Sequence, residues 1–325
     1  MFLKTVMNAI VWVIDTPDDT LKQIILLLFL SFRLKLKQED VAMSRYINPY
    51  TDFGFKKLFG EEANKDLLID FLNTFLPEKH QIKKLDFRDP EQLGATASDR
   101  RAVFDIYCAN SKGEKFIVEM QKAEHANFKD RSLYYVSHPI RAQGKKGKWD
   151  FNLKTVYFIG ILDFIYDPDD PNPLLIREVS LKDQHGKEFY DKLKMTYIQM
   201  PLFKKKESEL VTHQEKWLYF LKELPELQQI PSIMKEKVFK KAFKTAELAA
   251  MPEKEREQYE HNLHDYWTYL GTIDTAERKG ESKGRAKGRA EEKLNIARTM
   301  KKDGVDSCVI AKYTGLSPEE IERLN

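Results

Sequence analysis

Asp105 and Glu119 have the strongest claim to chemistry in this sequence, because they fall at matched positions of two short stretches joined by a tight turn. Residues 101–108 and 114–121 alternate with period two and are rich in β-branched and aromatic residues, which predicts a β-hairpin. Ser111-Lys112-Gly113 suits a three-residue turn closed by glycine in the left-handed region, which pairs Asn110 with Glu114. Counting back along both strands sets Asp105 opposite Glu119, with Cβ atoms roughly 4.5–5.5 Å apart, and Gln121 shares their face. Facing carboxylates repel, so a chain that keeps them either neutralises them with neighbours or holds a cation between them. Arg101 and Lys115, on the same face, are the candidates for neutralisation. The alternative is a metal site: an oxygen-rich pair suits Mg²⁺ (or Mn²⁺), a hard cation that shares its shell with water and substrate phosphate. Gln121 can orient a water or a phosphate through its amide but carries no charge, so Lys122 or Lys56 would have to supply one.

The elements around the pair follow from apolar spacing. On the hairpin, Ala102, Phe104, Ile106 and Cys108 match Phe116, Val118 and Met120 as one core face, while the acid-bearing face has only Val103 and Ile117 as apolar residues. Phe55, Leu58 and Phe59, then Leu67, Leu68, Phe71, Leu72 and Phe75, recur at helical spacing up to Pro77 and predict a first core helix. Asp52 at its start is either an acidic group for the site or part of an ordinary N-cap with Thr51, and the cap is the better reading. A short strand is expected at 82–87, a helix at 127–143 and an apolar strand at 155–162. The order is helix, strand, strand, strand, helix, strand, an α/β core with a mixed sheet flanked by helices, as in restriction-endonuclease-like folds. Lys129, Arg131, Arg141, Lys145, Lys146 and Lys148, with Tyr134, Tyr135 and Trp149, suit a phosphate backbone and exposed bases; the competing reading is a solvated charged face.

Five stretches from Met43 onward carry a family resemblance: YTDFGFKKLFG at 50–60, DLLIDFLNTFLP at 66–77, FDIYCANSKGEKFIVEMQK at 104–122, FKDRSLYY at 128–135 and ILDF at 161–164. Together they resemble the Rpn family of recombination-promoting nucleases and transposases. Asp, a turn, then Glu-x-Gln on the next strand resembles the PD-(D/E)xK nuclease core in its variant with glutamine in the lysine's place. The resemblance implies a Mg²⁺- or Mn²⁺-dependent deoxyribonuclease that hydrolyses phosphodiester bonds in DNA during recombination or transposition. Asp105, Glu119 and Gln121 would be catalytic, and Asp105 and Glu119 the metal ligands. The reading of a different class is a catalytically inactive, transposon-associated DNA-binding or assembly protein.

At 325 residues, with 42% hydrophobic and 32% charged content, the chain can bury one large core or two modest ones. Its net charge of +3 identifies no partner by itself, so the placement of charge must. Two cysteines, Cys108 and Cys308, allow neither a disulfide framework nor a CxxC metal site and fit a reducing, cytoplasmic setting. The apolar run 24–32 is too short to span a bilayer, and residues 1–42 read as an extension or a mis-assigned start.

The chain divides on this reading into 43–165, the nuclease core, closed by the Pro- and Asp-rich segment 166–173; 166–270, a mixed then helical accessory region; and 271–325, a basic helical tail. Strands are expected near 174–181 and 194–200 and helices at 212–224, 231–248 and 253–270. Asp163, His185 and His213 read as structural, and His261 and His264, at i and i+3, as surface histidines lacking a third ligand. From Arg278 to Lys302 the tail has ten Lys or Arg against three Glu. Gly280, Gly284 and Gly288 each cost a helix about 1 kcal/mol against alanine, so this segment is expected to order on a partner, either DNA or a second copy of the tail. Residues 305–325 predict a helical hairpin, broken at Thr314-Gly315 and restarted by Ser317-Pro318-Glu319-Glu320; it is either a helix-turn-helix remnant or a bare packing module.

Overall fold

A computed structural model describes residues 44–92, 102–123 and 127–324. The expected extension at 1–42, Arg101, and the loop before the hairpin lie outside the described residues. Two units part at Asn262 and Leu263.

The first unit begins with α1 (Asp52–Phe59) and α2 (Lys65–Asn73), where a single helix was expected. A one-turn 3₁₀ segment, Glu62–Asn64, separates them. Thr51 is the N-cap of α1, its hydroxyl accepting from the Gly54 N–H at 2.9 Å, and Asp52 is the first helical residue. After β1 (Leu85–Phe87) and a two-strand ribbon of β2 (Glu91–Gln92) and β3 (Ala102–Val103) comes the hairpin, β4 (Ile106–Asn110) and β5 (Lys115–Gln121). Helix α3 (Phe128–Arg141) then leads to β6 (Val156–Leu162), which lies parallel to β5. This β5–α3–β6 crossover is the link that parallel strands require.

The sheet does not close there. Strands β7 (Ile176–Lys182) and β8 (Glu188–Gln199) join it from beyond the Pro- and Asp-rich segment, giving the order β1-β4-β5-β6-β8-β7. The β5–β6 and β6–β8 pairs are parallel and the other three antiparallel. The boundary expected at 165 is thus internal to the sheet: Leu193, Met195 and Tyr197 of β8 share one apolar cluster with Ile117, Phe158 and Leu162. Helices α4 (His213–Glu223) and α5 (Lys237–Ala246) pack on α1 and α2 through rings. Trp217 meets Phe59, Phe71 and Phe239 at centroid distances of 5.7, 5.8 and 4.9 Å. His213 bonds Asp70 at 2.5 Å, which makes it the structural residue it was expected to be.

Strand β5 is therefore central, and where one core face was expected the hairpin has two. Ile117 and Tyr107 of the acid-bearing face are buried beneath α3, as Phe116 and Val118 are on the other side. Phe104 is a second correction. It packs with Tyr107 and Tyr135, at 5.5 and 5.2 Å, on the α3 side rather than with Ile106, because the chain bends at Phe104–Asp105 before β4 begins.

Helix α6 (Glu253–Lys302) runs continuously from the end of the first unit into the second. In the second unit its last turns pack on α7 (Ser307–Thr314) and α8 (Pro318–Glu322) through Leu294, Ala297, Ile310 and Ile321. Gly315 breaks α7 in the left-handed region, at φ 68°, and Ser317 with Glu320 forms a capping box with Pro318 at the first helical position. Among the described residues no helix is long and apolar enough to cross a membrane.

Candidate active site

The hairpin turn sets the register of the site. Gly113, at φ 81°, lets its N–H reach the Asn110 carbonyl at 3.0 Å, and the Asn110 N–H donates to the Glu114 carbonyl at 3.1 Å. From there the ladder pairs Cys108 with Phe116 and Ile106 with Val118, so Asp105 falls opposite Glu119. Where a regular ladder would continue, the bend at Phe104–Asp105 lets side chains take over from backbone. The Met120 N–H donates to Asp105 Oδ2 at 2.8 Å, and the Asp105 N–H donates to Glu119 Oε1 at 3.1 Å. Gln121 Nε2 completes the arrangement by donating to Glu119 Oε2 at 3.0 Å. The two acids are thus each latched to the other's strand, and the glutamine orients Glu119.

Glu119 is 1% exposed and Gln121 is buried. Asp105 lines a cleft of about 530 Å³ with Asp52, Lys56, Pro90 and Asn262. Burial pushes both carboxyls above the ordinary carboxylate range, Glu119 well above it. The Asp105 charge adds to the push on Glu119, and the Asp52 charge to that on Asp105. Against them act the Met120 N–H on Asp105, the Lys56 charge on Asp105 and the Arg131 charge on both.

Lys115 does not neutralise the pair. Lys115 lies four residues from Glu119 on β5, roughly 13 Å away, and burial together with Arg88 lowers its pKa. The counter-charge comes from Arg131, in the first turns of α3, whose guanidinium lies 4.9 Å from the Tyr135 ring centroid and donates to the Tyr135 hydroxyl at 2.7 Å. Sequence reasoning grouped Arg131 with a basic cluster, and the structure divides that cluster. The Arg131 charge acts on the acids, and Lys129 lies 5.3 Å from the Tyr166 ring centroid. Arg141 is about 15 Å farther along α3, and Lys145 and Lys146 follow it on an exposed loop.

Both readings of Asp52 have support. Thr51 does the capping, while Asp52 pairs with Lys56 at 2.9 Å and both face the cleft. Lys56, and not Lys122, shares that cleft with Asp105. The helical spacing Asp52-x-x-x-Lys56 was the signal for this pair, whose two members the sequence reading weighed separately. Among the described residues no group of three or more His, Cys, Asp or Glu side chains is arranged to hold a metal ion, and His261 and His264 are exposed on α6. Cys108 is buried and Cys308 exposed, both as free thiols.

Two family profiles match the chain. Residues 49–276 match the PD-(D/E)XK nuclease family transposase profile, and residues 290–325 match the C-terminal HTH domain of the Rpn/YhgA-like nuclease family. No curated protein and no solved structure matches the chain. The second match coincides with the helical hairpin of α7 and α8, and the first spans the sheet, both helical layers and the acid-bearing hairpin. The chain therefore belongs to the PD-(D/E)XK nuclease family transposases and ends in an Rpn/YhgA-like helix-turn-helix domain.

Proposed function

We propose that the protein is a divalent-metal-dependent DNA endonuclease with its hydrolytic centre at Asp105, Glu119 and Gln121. The observation that carries this is the latched pair of opposed, buried carboxyls, one of which walls an open cleft. The donor set fits a hard cation. Two carboxylates supply oxygen ligands, each oxygen keeps a lone pair beyond its protein hydrogen bond, and the local excess of negative charge favours a cation. Asp105 and Glu119 would hold Mg²⁺ or Mn²⁺, which supplies charge stabilisation at a phosphate and an acidified water. Gln121 fixes the rotamer of Glu119 and so positions a ligand. Lys56, from the opposite wall, brings to the cleft the positive charge that Gln121 lacks, and Asp52 holds its amine in place. Arg131, braced on Tyr135, offsets part of the acids' charge from the α3 side.

A second reading, a nuclease fold kept as an inactive DNA-binding or assembly scaffold, draws on one observation. Both oxygens of Glu119 already accept protein hydrogen bonds at 1% exposure, a geometry that is satisfied without metal. Cleavage of supercoiled plasmid in Mg²⁺ or Mn²⁺ against EDTA decides between the two. Metal-dependent nicking or linearisation by the wild type, absent from Asp105→Asn, is expected. Duplex binding without cleavage in either metal would favour the scaffold.

A further inference from the structure

Helix α6 carries a second feature that the nuclease centre does not use. Between residues 274 and 293 it has no apolar side chain larger than alanine, so it has no face to bury. It is helical throughout even so, with Gly280, Gly284 and Gly288 in its interior and open space around each. Its charges are sorted by side. At about 100° per residue, Arg278, Lys279, Lys283, Arg285, Arg289 and Lys293 share one arc, and Asp274, Glu277, Glu281, Glu291 and Glu292 lie outside it. Ion pairs occupy the margins, with Arg278 to Asp274 at 2.8 Å and Arg285 to Glu281 at 2.5 Å. The rest of the arc is different. Lys279, Lys283, Arg289 and Lys293 are exposed and have no ion-pair partner among the described residues. Lys301, by contrast, is committed to structure, donating to the carbonyls of Ile321, Glu322 and Leu324.

We propose that this arc is a phosphate rail, a surface that binds the backbone of duplex DNA without regard to sequence beside the helix-turn-helix. The inference rests on the reading of the protein as a DNA enzyme. Three observations support it. The four cations extend along roughly 21 Å of helix, a length over which duplex DNA presents about one charge per 1.7 Å of axis. The basic face is continuous with the DNA-reading motif, because Lys293 Nζ would lie 3.8 Å from a Cβ at Gly315, in the turn between α7 and α8. A helix with no apolar face and three glycines gains most from a partner whose charge is opposite and repeating. A self-associating tail would instead have to set this arc against the acidic side of a second copy, with no apolar face to help it.

The test uses the full chain in EDTA, where no metal-dependent cleavage can occur, and a fluorescein-labelled duplex of mixed sequence read by anisotropy over a series of NaCl concentrations. The combined change Lys279→Gln, Lys283→Gln, Arg289→Gln and Lys293→Gln should lower the slope of log K against log salt by about 3 to 4 units and weaken low-salt binding at least ~10-fold. A charge-preserving set, Lys→Arg at 279, 283 and 293 with Arg289→Lys, should keep the wild-type slope. If circular dichroism shows the fourfold variant misfolded, Lys283→Gln with Arg289→Gln should still lower the slope by about 2 units. An unchanged slope in a folded variant overturns the rail, and an accompanying change of oligomeric state reassigns the face to self-association. Wild-type protein that fails to bind the duplex at all would sink the DNA reading as well, so the two failures are distinguishable.

Discussion

Two acidic sites stand at the ends of neighbouring strands in this sheet. At the end of β5, Glu119 faces Asp105 across the hairpin, with Gln121, Arg131 and a cleft beside them. One residue beyond β6, Asp163 is half-buried. Its N–H is bonded to the Gln121 carbonyl at 2.9 Å, and its carboxyl is pushed up to about 6 by burial, with the Lys222 charge acting against that push. Burial raises both sites, yet only the first brings two carboxylates together at an opening. A raised carboxyl by itself therefore marks a desolvated acid, whereas the charge of a second carboxyl adds a reason to bind a cation. The first site should change activity when altered and the second only stability.

The largest expected effect is at Glu119. Glu119→Gln keeps the shape and can still accept from the Asp105 N–H, so the protein should fold, yet cleavage should fall on the order of 10³-fold or more because a metal ligand is lost. In EDTA its unfolding midpoint should equal or exceed that of the wild type, since a group whose charged form is disfavoured by burial has been made neutral. Metal should then stabilise the wild type by about 2.7 kcal/mol at a hundredfold excess over Kd, raising its midpoint, and leave the variant unmoved. A variant as active as the wild type would break the contrast between the sites.

Lys56→Ala should come next, lowering kcat by about 10- to 100-fold without shifting the unfolding midpoint, because its Asp52 partner is exposed. Lys56→Arg should restore part of the loss, and an unaffected kcat would return Lys56 to the role of a surface ion pair. Gln121→Ala should cost less, roughly 10-fold, because the amide positions Glu119 and does not bind metal itself. That loss should appear in metal affinity, measured by calorimetry.

Asp163→Asn sharpens the comparison from the other side. With a folded-state pKa of about 6 against the ordinary 3.8, Asp163 favours the folded state below pH ~4, and that contribution is lost as pH rises through about 6. Asparagine removes the penalty, so at pH 8 the variant should be more stable by about 3 kcal/mol, with cleavage unchanged. Denaturant unfolding at pH 4 and pH 8 reads the difference, and equal gains at both would show that the titration is not its source.

Much of the acid-bearing hairpin was legible in the sequence because its information is local. Gly113 forces the turn, the turn forces the Asn110–Glu114 pair, and period-two counting then aligns Asp105, Glu119 and Gln121. What the sequence hid depends on distant partners. The burial of the acid-bearing face comes from β6 and α3, the widening of the sheet from β7 and β8, and the counter-charge from Arg131 on α3. The bend at Phe104–Asp105 was hidden for a different reason: the residues alternate as a strand should, and only the side-chain latches between Asp105 and Glu119 show why the strand stops. In the tail, the cap residues Ser317 and Glu320 were readable, again because a capping box is encoded within four residues.

The most direct test of the central claim is cleavage of supercoiled plasmid by wild type and Asp105→Asn at matched concentration in Mg²⁺, Mn²⁺ and EDTA, with folding checked by thermal unfolding. The account predicts nicked or linear product from the wild type in metal alone and none from a folded Asp105→Asn. Equal cleavage by the two proteins, or cleavage by the wild type in EDTA, would contradict it.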